Sequence, residues 1–176
     1  PPLTPRSAIF EVAERLDHHG AVLAPLDAAS VDAAVAAVEA GDFEAVAVAL
    51  LHAYANPAHE DAVQAAFVAR LPDLPVTLAA QLSPKFREYE RTSTAVANAY
   101  VQPIVARYIA RLEAVLRDRG FGKSMFIMQS AGGLVSPALA RAEPVRIVES
   151  GPAAGVLLAA AIGQEEGNDH VISFDM

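Results

Sequence analysis

Ala45-Val46-Ala47-Val48-Ala49-Leu50-Leu51 is followed by Asn56-Pro57 and then, after Leu74-Pro75, by Val76-Thr77-Leu78-Ala79. The first run is apolar without a break, as a strand covered on both faces reads. Asn56 suits a helix N-cap, Pro57 the first helical position, and Glu60 with Asp61 an acidic first turn. Strand, helix and strand in this order predict a parallel pair joined by a right-handed crossover. The expected fold class is therefore α/β, a mixed or parallel sheet with flanking helices.

Working upstream, Ser30 is expected to cap a helix whose apolar face is Val31, Ala34, Val35 and Val38, ending at Gly41. Residues 9–25 read two ways. Ile9, Phe10, Ala13 and Leu16 have helical spacing, whereas Phe10, Val12 and Leu16 fit a strand interrupted by Glu14. The turn Asp17-His18-His19-Gly20 before Ala21-Val22-Leu23 favours a hairpin.

Downstream, a long helix is expected from Tyr89 to Arg119, with Val96, Tyr100, Ile104, Tyr108, Leu112, Val115 and Leu116 as its apolar stripe. Pro103 should kink or restart it, and Gly120 closes it. Met125-Phe126-Ile127-Met128 reads as a strand, Ser136 to Ala140 as a short helix, and Val145-Arg146-Ile147-Val148 as a strand. Gly151-Pro152 opens an Ala-rich helix to Ile162. Val171-Ile172-Ser173-Phe174 reads as a final buried strand ending on Asp175 and Met176. A carboxylate at the carboxyl end of such a strand is where open α/β sheets bind ligands. A chain that starts without Met and stops on such a strand is expected to be an internal piece of a larger protein.

Composition narrows the function classes. The chain has 176 residues, no cysteine and a formal net charge of -8. Disulfides, thiol catalysis and Cys-ligated zinc are excluded for this segment. The acidic balance argues against a nucleic-acid surface, and Arg107, Arg111, Arg117 and Arg119, interleaved with Glu113 and Asp118, read as a solvated helix face. No apolar run is long enough to span a bilayer, and the Pro-rich start resembles no targeting peptide, so a cytoplasmic location is expected.

Three segments gather polar residues and glycine at element ends. Phe86 to Thr94, with Glu90 and Arg91, enters the long helix; it reads as a charged substrate contact or as a capping network. Gln129-Ser130-Ala131-Gly132-Gly133 follows a strand and permits either close ligand approach or a tight turn. Glu149-Ser150-Gly151-Pro152-Ala153-Ala154-Gly155 joins strand to helix, where free backbone N–H groups attract an anion. Helix packing explains Gly155 equally well. It is not a P-loop, since the closing Lys-Ser/Thr is absent. His52 and His59 flank a loop and would share a metal only with a third ligand that no spacing identifies.

Together these segments resemble the hydantoinase/oxoprolinase family, which includes ATP-dependent N-methylhydantoinases, 5-oxoprolinases and the acetone and acetophenone carboxylases. The similar strings are FREYERTSTAVANAYVQP (86–103), MQSAGGLVS (128–136), PVRIVESGPAAGV (144–156) and VISFDM (171–176), with FEVAERLDHHGAVLAPLD (10–27) and LLHAYANPAHE (50–60). Ala131 stands where the family usually has Asn, Ala154 where it has Gly, and Ala13 where a proline is common. The first departure removes a polar side chain beside Gln129 and Ser130.

The resemblance implies an actin-like, ribonuclease-H-type ATPase fold. Residues 1–120 would be the later part of the first lobe, and 121–176 the start of the region leading to the second phosphate hairpin. It implies ATP and Mg²⁺ as cofactors and hydrolysis of a cyclic amide or imide. Asp175 would be a metal or phosphate contact, and Ser150, Gly151, Gln129, Ser130, Gly132 and Gly133 would lie near the nucleotide. Glu90 and Arg91 would line the cleft between lobes. The expected partners are the small substrate, a second hydantoinase-type subunit or domain, and further copies in an oligomer. A ketone carboxylase subunit and a non-catalytic actin-like nucleotide-binding module are the alternatives. The isolated segment is expected to be inactive.

Overall fold

The computed structural model describes residues 3–175. The chain folds as two compact units, one running to Pro103 and one from Ile104 onward. The boundary between them falls at a different place from the one between the expected regions 1–120 and 121–176.

In the first unit, β1 (Arg15–Leu16) and β2 (Val22–Ala24) form an antiparallel hairpin. Its turn is fixed by Asp17, whose Oδ1 accepts from His19 N and Ala21 N, each at 2.9 Å. Helix α1 (Ala28–Glu39) begins earlier than expected: Asp27 is the N-cap and accepts from Ser30 N at 2.8 Å. Ser30 Oγ instead accepts from Ala13 N, tying the hairpin to the helix.

β3 (Val46–Val48) and β4 (Val76–Leu78) pair in parallel across helix α2 (Ala58–Arg70), as the sequence pattern predicts. Alternation along β4 sorts its faces. Leu78 joins Val31, Val35, Val38, Val48, Val63 and Phe67 in one buried cluster beneath α1 and α2. Each of the larger side chains there contributes roughly 2 kcal/mol of burial. Thr77 points the other way: its hydroxyl accepts from Asn98 Nδ2 at 3.0 Å and donates to Gln102 Oε1 at 3.2 Å. Both partners sit on the long helix α4, so the pair of strands is covered on both faces. A short helix α3 (Ala79–Leu82) follows β4 directly.

α4 runs without a break from Glu88 to Asp118, through Pro103. The expected apolar stripe is not its buried face. Tyr100 is 78% exposed and Tyr108 64%, with Ile104 and Val115 also exposed. In the first unit α4 turns Arg91, Ala95, Asn98 and Ala99 inward. Small side chains let the helix approach the sheet closely, and Tyr100 is too bulky for that gap.

The second unit contains the hairpin β5 (Ile127–Met128) and β6 (Leu134–Val135), α5 (Pro137–Ala142) capped by Ser136, and α6 (Ser150–Glu165). Ile109, Val135 and Ala140 form its small buried cluster. The strand expected at 145–148 is instead a 3-10 turn over Pro144–Ile147. Proline at its start cannot donate to a ladder, and its fixed φ suits a helical turn. The final strand is not formed. No strand among the described residues lies beside 171–175, and Ile172 is 94% exposed. Met176, the end of that expected strand, lies outside the described residues.

Candidate functional site

In the first unit, the carboxyl ends of the parallel strands are held by a buried ionic arrangement. Glu60, in the first turn of α2, is fully buried. Its Oε1 accepts from Leu50 N at 3.0 Å beyond β3, and its Oε2 accepts from Ala80 N at 2.9 Å beyond β4. One carboxylate thus links both strand ends to a helix start. Burial pushes its acid strength down and its pKa up, opposed by those two N–H groups and by the Arg91 charge.

Arg91 is 2% exposed. Its Nη2 donates to Leu50 O at 2.7 Å and its Nη1 to Lys85 O at 3.0 Å. The guanidinium lies 5.6 Å from the Tyr54 ring centroid, an attraction that offsets part of the cost of a buried Nε without a hydrogen-bond partner. Arg91 therefore grips backbone in the interior of the first unit. Glu90 is exposed, with Arg87 at 3.4 Å. Arg87 and His52 both hold left-handed backbone, φ 84° and 59°, at the edges of this arrangement. Such strain costs about 1–2 kcal/mol per residue.

His59 Nδ1 lies 2.7 Å from Glu14 Oε2, both side chains largely buried. The histidine is satisfied by a carboxylate. No group of three His, Asp or Glu residues able to hold a metal exists among the described residues.

In the second unit, two of the expected segments meet. The β5–β6 turn closes through Gly132 N to Gln129 O at 3.1 Å and Gln129 N to Gly133 O at 3.0 Å. Gly132 and Gly133 have φ of 84° and 81°, a region closed to most side chains, which explains the Gly-Gly pair. Ser130 N donates to Arg146 O at 2.8 Å, and Ser130 Oγ donates to Val148 O. These bonds set the turn against the approach to α6.

That helix starts unusually. Glu149 is its N-cap, in left-handed conformation with φ 59°, and no side chain caps the first turn. The leading N–H groups of α6, beginning at Ser150 and Gly151, lack intrahelical partners. A Cβ added at Gly151 or Gly155 would meet nothing within 4 Å, so packing does not account for either glycine. Through Ser130, the Gln129–Gly133 turn with Gly132 therefore lies against the residues that lead into Ser150 and Gly151. Asp175 lies in the irregular segment after α6 and is exposed. An anion fits the uncapped helix start; the carboxylates of Glu149, Asp169 and Asp175 lie in this part of the chain, but no three such groups come together to hold a metal among the described residues.

The role of Glu60 was not legible in the sequence, where it reads as an ordinary acidic first-turn residue. Its burial depends on the two strand ends arriving beside it. Arg91 carried a signal through its charged motif, although the pattern could not say which way it points.

Residues 91–176 match the hydantoinase/oxoprolinase family, and residues 1–70 match the hydantoinase/oxoprolinase N-terminal region. The chain is 35% identical over 174 residues to caprolactamase subunit alpha of Pseudomonas jessenii, covering 99% of this chain and 25% of that protein. The structure of the ATP-dependent caprolactamase from Pseudomonas jessenii superposes with a TM-score of 0.87 at 34% identity, over 94% of this chain and 24% of that one. A nucleotide-free acetone carboxylase structure gives a TM-score of 0.83 at 29% identity, over 95% and 24%. The chain spans 25% of the length of the caprolactamase subunit and 11% of the 5-oxoprolinase of Saccharomyces cerevisiae.

Proposed function

The chain belongs to the hydantoinase/oxoprolinase family, and from that premise we propose that it is part of an ATP-dependent cyclic amide hydrolase acting on hydantoin- or 5-oxoproline-type rings. The observation that carries this reading is the meeting of the Gln129–Gly133 turn with the uncapped, glycine-bearing start of α6. Backbone N–H groups at such a start favour a phosphate by charge and by hydrogen bonding. Support also comes from the likeness to an ATP-dependent caprolactamase, since a lactam is a cyclic amide. The parent fold proposed is the actin-like ATPase, with residues 1–120 in its first lobe and 121–176 leading to its second phosphate hairpin.

Bound ATP with Mg²⁺ would supply a phosphoryl group that makes an inert amide carbonyl open to water. The chain's own residues have simpler tasks. Ser150 and Gly151 offer backbone N–H groups to phosphate oxygens, and the absence of a Cβ at Gly151 leaves the approach open. Gln129 and Ser130, with the Gly132-Gly133 turn, fix the neighbouring wall. Asp175 would hold the metal through its carboxylate. Glu90, on the exposed face of α4, is the remaining acid proposed for the reaction. Arg91 contributes by positioning backbone.

The partner proposed is a second hydantoinase-type subunit or domain, within an oligomer. Substrate-dependent phosphate release by the full-length protein tests the reading. Stimulation by hydantoin, 5-oxoproline or caprolactam supports it, whereas stimulation only by acetone with bicarbonate supports the ketone carboxylase favoured by the second structural likeness. Slow ATP turnover indifferent to every one of these compounds would leave a nucleotide-binding module without ring-opening chemistry.

A further inference from the structure

We propose that the second unit carries a binding site for an organic anion bearing a flat ring, in the cleft between the end of α4 and the start of α5. The cleft has a volume of about 370 Å³ and is lined by Leu116, Arg117, Phe121, Lys123 and Phe126 among others. This inference goes beyond the ring-opening reaction and does not depend on it.

The walls follow from the way α4 ends. Gly120 takes left-handed backbone at φ 82°, Gly120 N donates to Arg117 O and Phe121 N donates to Leu116 O, each at 2.9 Å. This pair of bonds is a Schellman closure, which sets the residue after the glycine beside the one five positions earlier. Phe121 and Leu116 are that pair, and both face the cleft. The closure also occupies the carbonyls of Leu116 and Arg117, acceptors that would otherwise repel an anion.

The charges favour an anion. Glu113 lines the cleft, but its carboxylate is held by Arg141. Arg117 and Lys123 are exposed, and neither forms an ion pair among the described residues. Ser136 Oγ accepts from Leu139 N at 3.2 Å, leaving its hydrogen free to donate to a ligand, and Ser124 adds a second hydroxyl. Phe126, 59% exposed, gives a face on which a ring can stack. Cations with an aromatic face select a ring-bearing carboxylate or phosphate over a bare ion.

Calorimetric titration of the full-length protein with phenyl phosphate, benzoate and inorganic phosphate tests this. Both ring anions should bind saturably, and inorganic phosphate about tenfold more weakly. Replacing both cations (Arg117→Ala with Lys123→Ala) should weaken both ring anions about tenfold or more. Phe126→Ala should weaken the ring anions severalfold and leave inorganic phosphate unchanged. All three side chains are exposed, so the variants should melt like the parent. Preference for phenyl phosphate identifies a phosphate ester as the ligand class, and preference for benzoate an aromatic acid. Absence of saturable binding up to roughly 1 mM, equal binding of inorganic phosphate, or binding unchanged in both variants would overturn the proposal.

Discussion

Glu60 and Arg91 place two charges inside the first unit, each facing backbone. Truncating one member of a buried ionic arrangement leaves the other uncompensated. Arg91→Ala should therefore destabilise the chain by about 3 kcal/mol, read from the shift in urea midpoint. Arg91→Lys should recover only part, since one ammonium cannot span the carbonyls of Leu50 and Lys85 as the planar fork does. The raised pKa of Glu60 has a definite consequence for pH. A carboxyl that holds its proton more tightly when folded contributes stability below its ordinary value, and that contribution is lost as pH rises through the raised one. In Glu60→Gln the slope of stability against pH over that window should flatten, even though the amide costs about 1–3 kcal/mol by turning a donor towards a backbone N–H. An unchanged slope would mean that Glu60 does not titrate in the window.

The elements show how α4 settles its orientation. Its sequence offers two faces, one large and apolar through Tyr100, Ile104 and Tyr108, and one small through Ala95 and Ala99. The small face packs because Thr77 on β4 presents a hydroxyl that Asn98 and Gln102 satisfy, and those residues share the alanines' side of the helix. Ala99→Leu should then cost about 1–3 kcal/mol through overpacking, whereas Tyr100→Ala should stay within about 0.5 kcal/mol in the same denaturation assay. At the β5–β6 turn, Gly132→Ala and Gly133→Ala should each cost about 1 kcal/mol from left-handed strain. If the turn also serves nucleotide, both variants should weaken its binding beyond what their stability loss explains.

For the whole molecule, the 176 residues alone should show no Mg²⁺-dependent ATP turnover, because Asp175 sits in an irregular segment with no strand beside it. Measurable turnover would contradict its proposed place in a second phosphate hairpin. Among the described residues no helix is long and apolar enough to cross a membrane. The sequence by itself determined the β3–α2–β4 crossover, since an unbroken apolar run, an Asn-Pro helix start and a second strand leave the chain one compact solution. It also determined the Gly-Gly turn, whose positive φ values few other residues tolerate, and the closure of α4 at Gly120. Those features depend on neighbours in sequence. The tertiary structure alone decided that α4 buries alanines instead of tyrosines, that Glu60 and Arg91 turn inward, and that 145–148 coils beside Ser130. Each of those outcomes rests on a polar partner that arrives from a distant part of the chain, which no local period encodes.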